Sequence, residues 1–195
     1  MDDPVRSSVY CGMALRLLAS ISLFLLLSAQ STPQPYVGQP GKDVVWVPTP
    51  YTLVEKMLDM AHVTPRDYVM DLGSGDGRNI IAAAKRGARA LGVEYDAQLV
   101  TISRRNAAAQ GVADRARFVR GDMFEADISE ATVLALFLLP DNLERLKPKF
   151  ERLKPGTRIV TNGFPIEGWA VKEIGKAERD CDGWCTAYLY VVPGR

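Results

Sequence analysis

Histidine and cysteine are scarce in this chain: one histidine, His62, and three cysteines, Cys11, Cys181 and Cys185, among 195 residues. The common structural metal sites need clustered Cys or His ligands at short spacing, so no metal site is expected. Charge of one sign is also missing. Lys and Arg total 24 against 23 Asp and Glu, a net charge of +1, so no whole-chain field draws the protein to nucleic acid. The pairs Lys85-Arg86 and Arg104-Arg105 read as solvated helix faces. The apolar run at residues 17–27 falls short of the roughly 18 residues that a membrane span needs. No internal repeat is present.

That apolar run follows Arg16 and gives way to Ser28-Ala29-Gln30-Ser31, then to a Pro-rich stretch over residues 32–40. A basic residue, a short apolar core and a small-residue exit form a secretory signal pattern. An uncleaved membrane anchor and a mitochondrial or other leader are the competing readings, with Asp2 and Asp3 set against a transit peptide. The expected organisation is a signal peptide or anchor over residues 1–30, a Pro-rich linker over 31–45 and one domain over 46–195. Export or inner-membrane anchoring is therefore expected, with a cytoplasmic or mitochondrial location as the alternative.

From residue 46 onward, strand and helix patterns alternate. Thr49-Pro50 reads as a helix start, with Thr49 as cap and Pro50 at the first position. Leu53, Val54, Met57, Leu58 and Ala61 then share one face, and His62 closes the helix as a surface or capping residue. Strands are expected over residues 68–70, 88–93, 117–119, 131–138 and 157–164, with a β-hairpin over 171–179 and 185–192. The run 131–138 is the most apolar and reads as a central strand. Cys181 and Cys185 flank Asp182-Gly183-Trp184 near the hairpin turn, within reach of a disulfide, although two packed thiols are the default expectation. The alternation implies an α/β fold with a mostly parallel, doubly wound sheet.

The strongest local signal is Asp71-Leu-Gly73-Ser74-Gly75-Asp76-Gly77 between the first strand and a helix. Glycines there let the backbone turn sharply and approach a ligand, and the helix start offers unpaired N–H groups. Dinucleotide folds use the spacing G-x-G-x-x-G, but here position 78 is Arg and the spacing is G-x-G-x-G. Asp71 and Asp76 would repel a diphosphate; they suit an ammonium and a sulfonium, both carried by S-adenosylmethionine (SAM). Glu94 ends the second strand, placed for ribose hydroxyls, and Asp122 follows the third, placed for an adenine amino group. The candidate cofactor residues are Asp71, Gly73, Ser74, Gly75, Gly77, Glu94 and Asp122.

Several stretches carry a resemblance: Val47-Pro-Thr-Pro50, Asp71 to Arg78, Gly92-Val-Glu-Tyr95, Leu136-Phe-Leu-Leu-Pro140, Lys154-Pro-Gly-Thr-Arg158 and Phe164-Pro-Ile-Glu-Gly-Trp169. Over roughly two thirds of its length, the chain resembles class I SAM-dependent methyltransferases. Within that class it is similar to the mitochondrial lysine methyltransferases of the adenine nucleotide translocator and the ATP synthase c-ring, with their bacterial relatives. The resemblance implies a Rossmann-like, seven-stranded sheet with an antiparallel last strand. It implies SAM contacts from Asp71, Gly73, Gly75, Glu94 and Asp122, and a segment near 47–51 folded over the cofactor. Leu138-Leu139-Pro140 departs from the Asn/Asp-Pro-Pro-Tyr of methyltransferases acting on bases or glutamine.

Methyl transfer to a protein lysine amine, on a substrate that can be membrane-embedded, is the expected function, with no nucleic-acid partner. A small-molecule methyltransferase and a non-catalytic SAM-binding protein are the alternatives. Leu138, Leu139 and Pro140 are expected to form an apolar slot that desolvates the acceptor amine. No catalytic residue is assigned. Asp76 is the one candidate general base, weighed against a structural or cofactor role.

Overall fold

A computed structural model describes residues 46–194, so the expected leader and linker over residues 1–45, Cys11 included, lie outside the described residues. In chain order the elements are α1 Tyr51–Met60, β1 Tyr68–Leu72, α2 Arg78–Lys85, β2 Arg89–Glu94, α3 Ala97–Ala109, β3 Ala116–Arg120, β4 Val133–Leu136, α4 Pro140–Phe150, β5 Arg158–Asn162, β6 Glu173–Lys176 and β7 Thr186–Val191. The strands form a seven-stranded sheet in the order β3-β2-β1-β4-β5-β7-β6. β1 to β5 pair in parallel, β7 runs antiparallel to β5, and β6 is antiparallel to β7. This is the doubly wound arrangement with an antiparallel last strand that the resemblance implies.

Alternation along each strand sends side chains to two separate cores. Val69, Ala90, Val133 and Val160 pack under α1, α2 and α3, while Met70, Leu72, Leu134, Leu136 and Ile159 pack with Leu143, Leu146 and Phe150 of α4. Each of those α4 side chains contributes about 1.5–3 kcal/mol by burial. Trp169 belongs to this second core, edge-on to Phe150 at 6.4 Å and to Tyr190 at 6.2 Å between centroids. Among the described residues, no helix is long and apolar enough to cross a membrane.

The structure corrects several expectations. Pro50, not Thr49, is the residue before α1, and its carbonyl accepts from the Leu53 and Val54 N–H groups at 3.0 Å. Thr49 instead turns its hydroxyl to Asn162 Nδ2, 3.2 Å away. β4 keeps four of the eight expected residues, because its ladder with β5 ends at Leu136 opposite Thr161. β5 stops at Asn162, where Gly163 turns the chain with φ +74°. Arg86 is no solvated helix residue: it pairs with Glu55 at 2.5 Å and Asp59 at 2.7 Å across to α1. Arg104 donates both Nε and Nη2 to the Phe118 carbonyl. Cys181 and Cys185 are joined in a disulfide, with Cα atoms 5.8 Å apart, and are not the two free thiols expected.

One polar cluster ties together the N-terminal ends of three strands. Asp67 accepts from the Thr64 N–H (2.8 Å) and hydroxyl (2.9 Å), from the Thr132 hydroxyl (2.8 Å), and from Arg158. Arg158 also reaches the Ala61 carbonyl at 2.6 Å, which fixes the end of α1. Burial alone would raise the Asp67 pKa. The Thr64 N–H, the Thr132 and Thr64 hydroxyls and the Arg158 guanidinium outweigh that and hold it below the usual carboxylate range.

Asp67→Asn is expected to cost about 2–3 kcal/mol at neutral pH, since it leaves Arg158 without its counter-charge. The folded pKa lies below the unfolded value, so the contribution is full above about pH 4 and is lost as pH falls through the folded value. Urea unfolding of wild type and variant should therefore show a gap that narrows below about pH 4. A gap that stays constant down to acid pH contradicts this account.

Candidate active site

The loop after β1 is fastened to the end of β2. The Gly73 and Ser74 N–H groups donate to the Val93 carbonyl at 2.8 and 3.1 Å, and the Gly75 N–H donates to Glu94 Oε2 at 2.8 Å. Gly73, Gly75 and Gly77 have φ of +77°, +55° and +87°, a left-handed backbone that only glycine adopts without strain. A Cβ on Gly77 would also stand 2.7 Å from the Phe118 ring. α2 begins directly behind the loop; Asp76 Oδ1 accepts from the Arg78 N–H at 3.3 Å, while Gly77 itself supplies no side-chain cap.

Under this loop lies Asp71, 3% exposed. Its Oδ2 accepts from Asn79 Nδ2 at 3.0 Å, and its Oδ1 has no partner among the described residues. Burial pushes its pKa well above the ordinary carboxylate value; the Asn79 hydrogen bond opposes that, and the Glu94 and Asp76 charges add to it. The Ser74 hydroxyl is likewise buried without a partner. A buried polar atom left unpaired costs about 1–3 kcal/mol. Two of them beside a glycine loop fit a missing polar, cationic ligand.

Glu94 is 9% exposed. Its Oε1 accepts from the Asp96 N–H at 2.9 Å while Oε2 holds Gly75. Each oxygen retains capacity for a second donor, so two hydroxyls of a ribose fit. Asp76 behaves differently from the expectation. Arg78 grips it through Nε (2.9 Å to Oδ1) and Nη2 (2.6 Å to Oδ2), so its charge is neutralised locally and it is neither a free base nor a second free anion. Asp122 is exposed and caps its own turn, Oδ1 accepting from the Phe124 N–H at 2.8 Å. It lines a cleft of about 270 Å³ with Met70, Leu91 and Val93, side chains of the α4 face.

Above the loop, the segment preceding α1 is pinned in place. Arg78 Nη1 donates to the Thr49 carbonyl at 2.6 Å, and its guanidinium stacks on the Tyr51 ring at 4.6 Å. Trp46 lies so close over Gly75 that a Cβ there would sit 2.3 Å from Nε1. This agrees with a segment folded over the loop. Leu138 touches the loop from the end of β4, since a Cβ on Gly73 would lie 3.4 Å from its Cδ2, while Leu139 is exposed. Next to them stand Phe137, Phe164 and the fully buried Asn162, whose Oδ1 is unpartnered.

No motif or spacing in the sequence singles out Asn162 or Trp46. Asn79 was missed although it had a signal: it is a neutral polar residue heading the apolar run at residues 80–84 of α2, and it bridges Asp71 to the Ala135 carbonyl at 3.3 Å. His62 accepts at its carbonyl from Arg158, at the start of β5, so it sits at the opposite end of the sheet from this site. Among the described residues, no group of three or more His, Cys, Asp or Glu side chains is placed to hold a metal.

A family model, the ANTKMT methyltransferase domain, matches residues 71–173. A protein-lysine N-methyltransferase of Saccharolobus islandicus is 49% identical over 152 residues, which cover 76% of this chain and 94% of that protein. The adenine nucleotide translocase lysine N-methyltransferase of Mus musculus is 32% identical over 137 residues, which cover 69% of this chain and 55% of that longer protein. A solved structure of an RNA methyltransferase from Salinibacter ruber, in complex with S-adenosyl-L-homocysteine, is 46% identical with a TM-score of 0.71, covering 76% of this chain and 95% of that one.

If a ligand ammonium docks against Asp71, the carboxyl must ionise, and binding releases the proton that burial had retained. Affinity for SAM is then expected to rise with pH until Asp71 ionises in the free protein, and to level off above that. Calorimetry in two buffers of different ionisation heat checks this. Proton release should vanish in Asp71→Asn, and binding should weaken at least about tenfold through loss of the charge-assisted contact. Equal proton release in wild type and variant would place the titrating group elsewhere.

Proposed function

The chain belongs to the ANTKMT methyltransferase domain family and is a SAM-dependent methyltransferase, and we propose that it methylates the side-chain amine of a protein lysine. The observation that carries the acceptor is the 49% identity to a protein-lysine N-methyltransferase along 94% of that protein. The cofactor residues proposed are Asp71, Ser74 and Glu94, with Gly73, Gly75 and Gly77 giving close backbone approach. Asp122 belongs to the proposal as a more peripheral contact, at the adenine end. Support comes from the unpartnered Asp71 and Ser74 oxygens and from the spare acceptor capacity of Glu94.

When bound, SAM supplies a methyl group on a sulfonium, already a good leaving group. The chain's own task is alignment and exclusion of water, which can contribute about 7–11 kcal/mol. A lysine ammonium must lose a proton before it attacks. Leu138 and Phe137 at the end of β4 make an apolar approach that disfavours the charged amine and lowers its pKa. With Asp76 held by Arg78, proton removal falls to solvent before the amine enters.

A second reading, an RNA acceptor, is favoured by the name of the Salinibacter ruber relative at 46% identity. Location is part of the same proposal: the chain is exported or held at a membrane by its leader. The Cys181–Cys185 disulfide supports it, because such bonds persist in oxidising compartments.

Labelled SAM incubated with cell extract should place label on N-methyl-lysine in protein, and Glu94→Ala should abolish it along with SAM binding. Label that survives protease and is removed by ribonuclease rejects the lysine acceptor. Unchanged SAM binding in Glu94→Ala sinks the cofactor site. For the location, alkylation of protein taken directly from cells should modify Cys181 and Cys185 only after reduction; immediate modification of both contradicts export.

A further inference from the structure

An aromatic cluster stands at the mouth of the site. Phe137 follows β4, Phe164 follows β5, and Trp184 sits on the loop between β6 and β7. Phe137 stacks with Phe164 at 6.5 Å and 24°, and tilts against Trp184 at 6.0 Å and 56°. Trp184 is 50% exposed, an unusual state for so large an apolar side chain. Its backbone is in the left-handed region, φ +46°, a strained conformation that surrounding structure must impose.

Two constraints impose it. The Cys181–Cys185 disulfide closes a five-residue ring that contains Trp184. Gly163 lies directly beneath the indole, where a Cβ would stand 2.8 Å from Cδ1. The ring is thereby held against the C-terminal ends of β4 and β5, where Leu138 reaches the cofactor loop. Beside it, Asn162 presents a buried Oδ1 with no partner among the described residues, although its Nδ2 is held by Thr49. A set of ring faces plus one unused acceptor matches an alkylammonium: a cation that binds π faces and donates one hydrogen bond.

We propose that Phe137, Phe164 and Trp184 wall the acceptor slot, that the slot takes an alkylammonium group, and that the Cys181–Cys185 disulfide is a positioning element for Trp184. This rests on the lysine reading above and says where that amine sits. Aromatic walls exclude water, which favours the neutral amine, yet they still attract the methylammonium formed by transfer. That product must return to solvent and lose its proton there before it can re-enter as a neutral amine for a further round.

The test uses the full chain loaded with S-adenosyl-L-homocysteine and n-butylammonium as a mimic of the lysine side chain. Calorimetry should show butylammonium binding to wild type, about three- to thirtyfold weaker binding to Trp184→Ala, and recovery in Trp184→Phe. Affinity for S-adenosyl-L-homocysteine should be the same in all three, which separates loss of the slot from loss of the fold. Cys181→Ser/Cys185→Ser should weaken butylammonium binding by several fold, and dithiothreitol should do the same to wild type but nothing more to the double variant. Absence of butylammonium binding to wild type, or equal binding in Trp184→Ala, overturns the slot. Equal binding in the double variant overturns the role of the disulfide. If butylammonium binds as expected but labelled SAM marks no protein lysine, the acceptor reading fails and the slot stands.

Discussion

A carboxyl buried to 3% exposure, with one oxygen paired and the other without a partner among the described residues, is the constraint around which the catalytic half of this domain is arranged. Asp71 lies at the C-terminal end of a central strand, where solvent cannot reach it. The neighbouring acids Asp76 and Glu94 raise the cost of its charge. A buried carboxyl left partly unpaired costs stability. Its surroundings fit a cation. Asn79 orients one oxygen and leaves the other open, and the glycine loop bends over the pair. Glu94 fixes that loop through the Gly75 N–H. On the cofactor assignment proposed above, the stability forgone at Asp71 would be recovered on binding a cation, so affinity and local instability would share one origin.

The two ends of the sheet have separate duties. At the N-terminal ends of β1, β4 and β5, the cluster of Asp67, Thr64, Thr132 and Arg158 has its Asp67 oxygens satisfied and joins α1 to the strands. At the C-terminal ends, unpartnered atoms collect: Asp71 Oδ1, Ser74 Oγ, Asn79 Oδ1 and Asn162 Oδ1. The contrast is physical. A saturated polar network stiffens the scaffold, and an unsaturated one beside loops is where a ligand is needed. Parallel strands buried on both faces carry that stiffness along their length, so the loops can be held in strained conformations.

Much of this was legible in the sequence, and the reasons are particular. The glycine loop showed itself because G-x-G-x-G after a strand has few other uses, and Glu94 because an acid at the end of the next strand repeats the pattern. The order of elements followed from the alternation of apolar periods. Element ends were less legible: Thr49 looks like a helix cap, but its hydroxyl is taken by Asn162, 113 positions away. Asp76 looked free because its partner Arg78 is two residues on, where no helical or strand spacing predicts a pair. Asp122 shows its place after β3 in the sequence, but not that its Oδ1 accepts from the Phe124 N–H. The disulfide was readable only as a distance that a hairpin permits. The packing of Trp184 against Phe137 had no local trace, since β4 and the β6–β7 loop meet only through the whole sheet.

The same division separates, along the chain, the groups proposed for the cofactor from part of the rim at the mouth. The family match spans residues 71–173, from the glycine loop through β5, and so contains the groups proposed to bind the cofactor. Trp46, Thr49 and Tyr51 lie before it, and Trp184 with its disulfide lies after it. The first group covers the loop, and the second closes the mouth beside Phe137. In this chain the rim is aromatic and tied by a disulfide. On the lysine reading, those features serve a single flexible amine, which must shed its charge against apolar walls before it can attack.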